Sequence, residues 1–438
     1  MTGARLQPAD RRILSLALPA LGTLAVEPLY VLVDTAIVGR LGTPQLGGLA
    51  LAATVLSFVV IGSNFLTYGA TERVARRIGA GDPAAAADVG VQALWLAALV
   101  GLPLAGLLAL AARPLCIALG GSGEVLDHAE LYLRISAAGI PFVVLTLAAN
   151  GVLRGNSQYR VPLLILFVAN LLNTVLELIF VLGLDYGMAG SAWSTVIGQV
   201  VGAAAFAIVV RRYLRPARSR RPSRAGVAPM VSAGRHLVLR VATMLAVLGG
   251  STAIAARIDE PTLAAHQVVI GMFGLVALSL DALAIPAQTL VAEELGRDDR
   301  TTARHLTRRA VVLSLWAAVV VALVVAGTAR WLPQAFTSDA AVADRATVAL
   351  VFLAASMLPA SIAFAYDGVL IGAGDYRFLG LAALAYLAAI APLGVVILAV
   401  PRLGIGGIWA SLGAWMILRA IVNHRRADHV LMPAGTAA

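Results

Sequence analysis

Apolar residues run along this chain in stretches of about 20 or more, each closed by a short polar turn. A helix needs about 20 apolar residues to cross roughly 30 Å of hydrocarbon, so each stretch reads as one membrane span. The pattern predicts an all-α integral membrane protein with twelve spans. In the first half they cover residues 11–39, 44–72, 86–111, 127–155, 160–183 and 187–211. In the second half they cover 233–257, 261–290, 303–329, 342–371, 377–400 and 404–424. One long polar stretch interrupts the series, through Arg215, Pro216, Arg218, Arg220, Arg221, Pro222 and Arg224. Its density of Pro and Arg predicts a basic surface linker at 214–232. The expected domains are therefore a six-helix lobe at 1–213, the linker, and a six-helix lobe at 233–438.

The polar turns also set an orientation. All 33 basic residues are arginine, and most fall on the side of the N-terminus. Arg40, Arg113, Arg257, Arg330, Arg345 and Arg402 fall on the other. The positive-inside rule then places both termini and the linker in the cytoplasm, in the cytoplasmic (inner) membrane. The net charge of +10 is thereby explained without nucleic acid as a partner. The first apolar stretch follows Arg5, Arg11 and Arg12 and is too long for a signal-peptide core, so it reads as a span. With 60% hydrophobic and 13% charged residues the composition excludes an ordinary soluble fold. The single cysteine, Cys116, excludes an internal disulfide and a Cys-based metal motif.

The halves repeat. VARRIGAGD from Val74 lies over VAEELGRDD from Val291, and NGVLRGNSQYR from Asn150 lies over DGVLIGAGDYR from Asp367. DTAIVGRLGTPQL from Asp34 lies over STAIAARIDEPTL from Ser251, and YGMAG from Tyr186 over LGIGG from Leu403. The offset is constant, since 291 − 74 = 217 and 367 − 150 = 217. An even number of spans per copy gives both copies one orientation. That is a parallel repeat about the membrane normal, an architecture of transporters.

Where the copies differ, the first keeps polar groups that the second lacks. Asp34 lies over Ser251, Pro19 over His236, Glu27 over Met244, Asn173 over Ile390 and Glu177 over Gly394. Ionisable side chains inside a bilayer cost at least about 2.5–3.5 kcal/mol each on insertion scales and mark function by default. Glu27, Tyr30 and Asp34 share a face of the first span; Asn170, Asn173 and Glu177 form a stripe on the fifth. Asp34 and Glu177 sit at similar depth, and close carboxylates away from water hold a proton more tightly than in water. Together with amide and hydroxyl oxygens they equally suit Na⁺, so Asp34, Glu177 and Asn173 are candidate Na⁺ ligands. Asp281 and Asp367 lie toward the cytoplasmic span ends, where structural roles are expected, and His266 is expected to be packed. Pro19 removes a helical hydrogen bond and predicts a bend in the first span.

LVDTAIVGRLG at 32–42, NTVLE at 173–177, YGMAGSAWST at 186–195 and DGVLIGAGDYR at 367–377, in this order, resemble the multidrug and toxic compound extrusion (MATE) family, DinF-like branch. The resemblance implies two six-helix lobes and export of lipophilic, often cationic, small molecules against inward H⁺ or Na⁺. It implies coupling acids at Asp34 and Glu177, supported by Asn173, Asn150 and Thr195, with Pro19 as the bending proline. Glu27 and Tyr30, on the Asp34 face of the first span, are expected beside the substrate path with Pro19. Two departures stand out: the fifth-span acid is glutamate where aspartate is usual, and no carboxylate lies between His236 and Arg257. No cofactor beyond the coupling ion is expected, and the partners are substrate and lipid around a monomer. A lipid-linked precursor flippase is the rival reading and would need arginines inside the spans, where only Arg134 and Arg240 come near. A membrane enzyme would need an Asp-rich metal loop, and Asp298-Asp299 reads as an ordinary turn.

Overall fold

The computed structural model describes residues 7–432. The first copy contains α1 (Pro8–Val38), α2 (Thr43–Ser63), α3 (Phe65–Gly79), α4 (Pro83–Ala118), α5 (Gly123–Ala137), α6 (Ile140–Gly155), α7 (Arg160–Glu177) and α8 (Gly187–Leu214). The second contains α9 (Arg224–Ile258), α10 (Glu260–Gly296), α11 (Arg300–Thr328), α12 (Ala340–Gly372), α13 (Tyr376–Ala399) and α14 (Gly404–Val430). Eleven helices among the described residues are long and apolar enough to span, and the pair α5–α6, bent by 54°, makes the twelfth. The predicted spans coincide with these helices apart from their ends.

The turns follow the repeat. Asp82 caps α4 by accepting from Ala85 N–H at 2.8 Å, and Asp299 caps α11 by accepting from Thr302 N–H at 2.9 Å. Each cap follows a left-handed residue, Gly81 at φ 73° and Asp298 at φ 61°. Asp298-Asp299 is thus a helix-capping turn. The two copies also differ in continuity. α2 and α3 part at Asn64, and α5 and α6 part near Gly139, whereas α10 and α12 run unbroken. α1 runs as one helix through Pro19.

Two compact units emerge, divided inside α1 between Leu21 and Gly22 and again between Gly234 and Arg235, just past the expected linker. One joins Met1–Leu21 to Arg235–Ala438, and the other is Gly22–Gly234. Inside the first unit, Arg309 grips Asp10 with two bonds of 2.7 and 2.8 Å, and Arg12 reaches Glu293 at 2.8 Å and Glu294 at 3.1 Å. The opening turns of α1 thus pack with α10 and α11. Inside the second unit the opening turns of α9 pack with α3 and α4, and Arg73 donates to Pro229 C=O. Each repeat's first helix therefore begins among the residues of the other repeat.

The linker is shorter and more ordered than its composition implies. Ser223 caps α9 by accepting from Gly226 N–H at 3.1 Å, so helix starts at Arg224 inside the stretch expected as linker. The remainder is strapped to α4. Arg218 pairs with Asp82, the Arg218 and Ser219 N–H groups donate to Asp88, and Gln92 holds Arg221 C=O and Ser223 N–H. Trp95 Nε1 donates to Arg220 C=O at 2.9 Å.

Candidate functional site

The polar centre of the first lobe is built by α1, α5, α7 and α8. Glycine makes a close helix approach possible: a Cβ on Gly198 would stand 3.0 Å from Asn173 Cβ and 3.2 Å from Ala169 C=O. α8 therefore lies directly on α7 and brings Thr195 and Ser191 to the polar stripe of the fifth span.

Two hydrogen-bonded arms result. In one, Asn173 Nδ2 donates to Tyr30 Oη at 3.2 Å, and Tyr30 Oη lies 3.1 Å from Thr195 Oγ1. Tyr132 Oη approaches the same hydroxyl at 3.5 Å, and Thr195 in turn donates to Ser191 C=O. In the other, Ser191 Oγ donates to Asp34 Oδ1 at 3.0 Å, and the Glu177 carboxyl faces that of Asp34.

Glu177 is wholly buried, and neither of its oxygens meets a hydrogen-bond donor. Asn173 Oδ1 is likewise buried without a donor. Such acceptors are rare, because an unsatisfied buried polar atom costs about 1–3 kcal/mol and more when charged. A proton shared between the carboxyls, or a small cation among these oxygens, would supply what the protein donors do not. For a cation the ligands would be Asp34, Glu177 and the Asn173 amide; no group of three or more His, Cys, Asp or Glu converges among the described residues.

The backbone changes character at the same point. Immediately after Glu177 the chain enters a π-helical turn, Leu178–Gly183, with Leu184 N–H bonded to Ile179 C=O. π-turns cluster at functional sites because the extra residue per turn re-aims side chains. The corresponding stretch of α13 is plain α-helix.

Not every expected residue joins the cluster. Asn150 is buried on α6, but its Oδ1 has no partner and no bond ties it to Asp34 or Glu177. Glu27 lies exposed on α1 and takes no part in the two arms, and Pro19 belongs to the other compact unit. Conversely, Ser191 and Tyr132 were not singled out from sequence. Ser191 precedes Thr195 by one helical turn on the same face, which is a usable signal. Nothing local marks Tyr132.

The second lobe places a neutral pair where the first has Asp34. Ser251 Oγ lies 3.2 Å from His266 Nε2, with His266 buried against Trp409. Its charged centre is elsewhere, around Asp367. Arg240 and Arg419 both donate to Asp367 Oδ2 at 2.5 Å, and Asn423 donates to Oδ1 at 2.7 Å. Tyr386 Oη donates to Asn423, and Arg419 stacks over Trp415 and Phe364. Arg419 is 2% exposed and Arg154 6%, so the spans bury more arginine than the two near-end residues read from sequence. Asp281 is half-buried on α10.

A MatE family model matches residues 19–179 and again 238–398, one match per repeat. The chain is 30% identical over 426 residues to Protein DETOXIFICATION 44, chloroplastic, of Arabidopsis thaliana, covering 94% of this chain and 81% of that protein. It is 28% identical over 428 residues to DNA damage-inducible protein F of Escherichia coli (strain K12), covering 95% and 92%. Among solved structures, MATE in the bent conformation superposes with a TM-score of 0.90 at 22% identity, over 97% of this chain and 96% of that one. A MOP superfamily transporter from Pyrococcus furiosus gives 0.89 at 20% identity, over 97% and 96%. These two likenesses establish the fold.

Proposed function

The chain belongs to the MatE family of multidrug efflux transporters, and on that premise we propose that it exports lipophilic, cationic small molecules in exchange for H⁺ or Na⁺. The observation that carries the coupling reading is the Asp34–Glu177 pair, two buried carboxyls facing each other with no donor to Glu177. Two bare negative charges in that position are the least favourable state of the site. The site therefore alternates between ion-loaded and substrate-coupled states, never between full and doubly charged ones.

Ion loading neutralises the pair and lets α1 settle against α7 and α8 through Ser191, Tyr30 and Thr195. Exchange of the ion for a cationic substrate ends that neutral packing and loosens that side of α1. The bend expected at Pro19 lies between Asp34 and the Asp10–Arg309 anchor, so loosening at one end of α1 acts against a fixed other end. The arginine-rich side is taken as cytoplasmic, with both termini there.

The test is efflux from proteoliposomes carrying an imposed pH gradient or an imposed Na⁺ gradient, with wild type and Asp34→Asn. Export driven by one gradient and lost in Asp34→Asn supports antiport through this site. Failure of both gradients to drive any lipophilic cation, or full coupling in Asp34→Asn, overturns it.

A further inference from the structure

At the arginine-rich end of the first lobe, α4 and α8 enclose a groove of about 380 Å³ lined by Val91, Leu94, Ala207 and Leu214, with Trp95, Arg211 and Arg220 at its mouth. We propose that this groove binds an anionic phospholipid, its phosphate between Arg211 and Arg220 and an acyl chain along the apolar floor. The inference is independent of the coupling ion and of the exported compound.

Three observations carry it. First, the charge is uncompensated. Neither Arg211 nor Arg220 meets an acidic side chain among the described residues, because the nearby acids Asp82 and Asp88 are both engaged by Arg218. Basic pockets between membrane helices at the headgroup level attract anionic lipid. Second, the depth is right. Trp95 is half-exposed and its indole N–H is fastened to Arg220 C=O, which holds Arg220 at the level of an interfacial tryptophan. Third, the floor continues into a surface made for lipid tails. Leu99 and Leu102 on α4 follow Trp95 by one and two turns, and Ile208 flanks Ala207 on α8; they are 57%, 63% and 74% exposed. A peptide or soluble anion would use the arginines and leave this floor unused.

Occupation would join three elements that sequence separates. The lipid would bridge α4, α8 and the strap, so an anionic leaflet would hold the strap in place.

The test uses the full chain, delipidated in detergent and titrated with phosphatidylglycerol or phosphatidylcholine of the same acyl chains, with bound lipid counted by native mass spectrometry. Wild type should prefer phosphatidylglycerol by about thirtyfold at low salt, from two arginines near the surface. Arg211→Gln/Arg220→Gln should lose that preference, and Arg330→Gln, an exposed arginine on the opposite side, should keep it. Ala207→Trp fills the floor, leaves both arginines and should lose the bound lipid, which keeps the test decisive if the double variant folds poorly. An unchanged preference in a folded Arg211→Gln/Arg220→Gln, or displacement of the lipid by inorganic phosphate at equal concentration, overturns the proposal.

Discussion

Glu177 faces Asp34 across the interior of the first lobe, and the Ser191 hydroxyl donates to Asp34, while neither Glu177 oxygen meets a donor. The two acids are therefore unequal. Asp34 has a hydroxyl partner from the protein, while Glu177 has none.

That inequality makes Glu177→Gln informative. The amide removes a buried charge, supplies an N–H toward Asp34, and preserves shape. Thermal stability should equal or exceed that of wild type, since a buried ionisable group costs about 2.5–3.5 kcal/mol on insertion scales. Gradient-driven export should be lost. A variant that is less stable yet still coupled would show that Glu177 is a packing residue.

Asp367 should behave in the opposite way. Asp367→Asn leaves Arg240 and Arg419 buried with no carboxylate between them, and removing one partner of such a cluster costs about 3–5 kcal/mol. The melting temperature in nanodiscs should fall sharply, and adding Arg419→Gln should recover part of the loss. Equal melting temperatures for wild type and Asp367→Asn would deny Asp367 this structural role.

The start of α1 offers a third measurement. Asp10 is 1% exposed, and its two oxygens accept from Nε and Nη2 of the Arg309 guanidinium. Bidentate pairs of this kind are strong and geometrically specific. Asp10→Asn or Arg309→Gln should raise hydrogen exchange over residues 8–21 by about tenfold, while residues 22–38 keep their protection. Uniform change along α1 would mean that the anchor does not act locally.

The strap along α4 has a defined pH response. The Ala85 N–H, and then the Arg218 guanidinium, hold the Asp82 carboxyl below its ordinary value of 3.8. A lowered carboxyl contributes its full stabilisation above the ordinary value and loses it as pH falls through the lower, folded-state value. Trypsin cleavage after Arg218 and Arg220, normalised at each pH to that of an unstructured peptide, should therefore stay constant from about pH 6 to 9. Asp82→Asn/Asp88→Asn should accelerate it several-fold at every pH in that range. A pH-dependent normalised rate in wild type across neutrality would point to another group holding the strap.

Much of this protein is a local property of its chain. Helix length against bilayer thickness depends only on runs of apolar residues, so the spans could be read directly, and the constant offset of 217 exposed the duplication down to the left-handed turns at Gly81 and Asp298. Helical periodicity likewise placed Tyr30 and Asp34 on one face of α1, and Asn173 and Glu177 on one face of α7. Which faces meet is not local. Only the packing of α8 on α7 through Gly198 brought Ser191 and Thr195 to those acids, and it left Asn150 outside their bonds. Arg419 joined Asp367 from 52 residues further along the chain. The strap was hidden because Arg and Pro density resembles a free linker, whereas Asp82, Asp88, Gln92 and Trp95 on α4 supply the partners that order it. Sequence determined where the chain crosses and which polar groups it carries into the membrane; the tertiary structure decided their partners, because contact between helices depends on long-range packing that no single helix encodes.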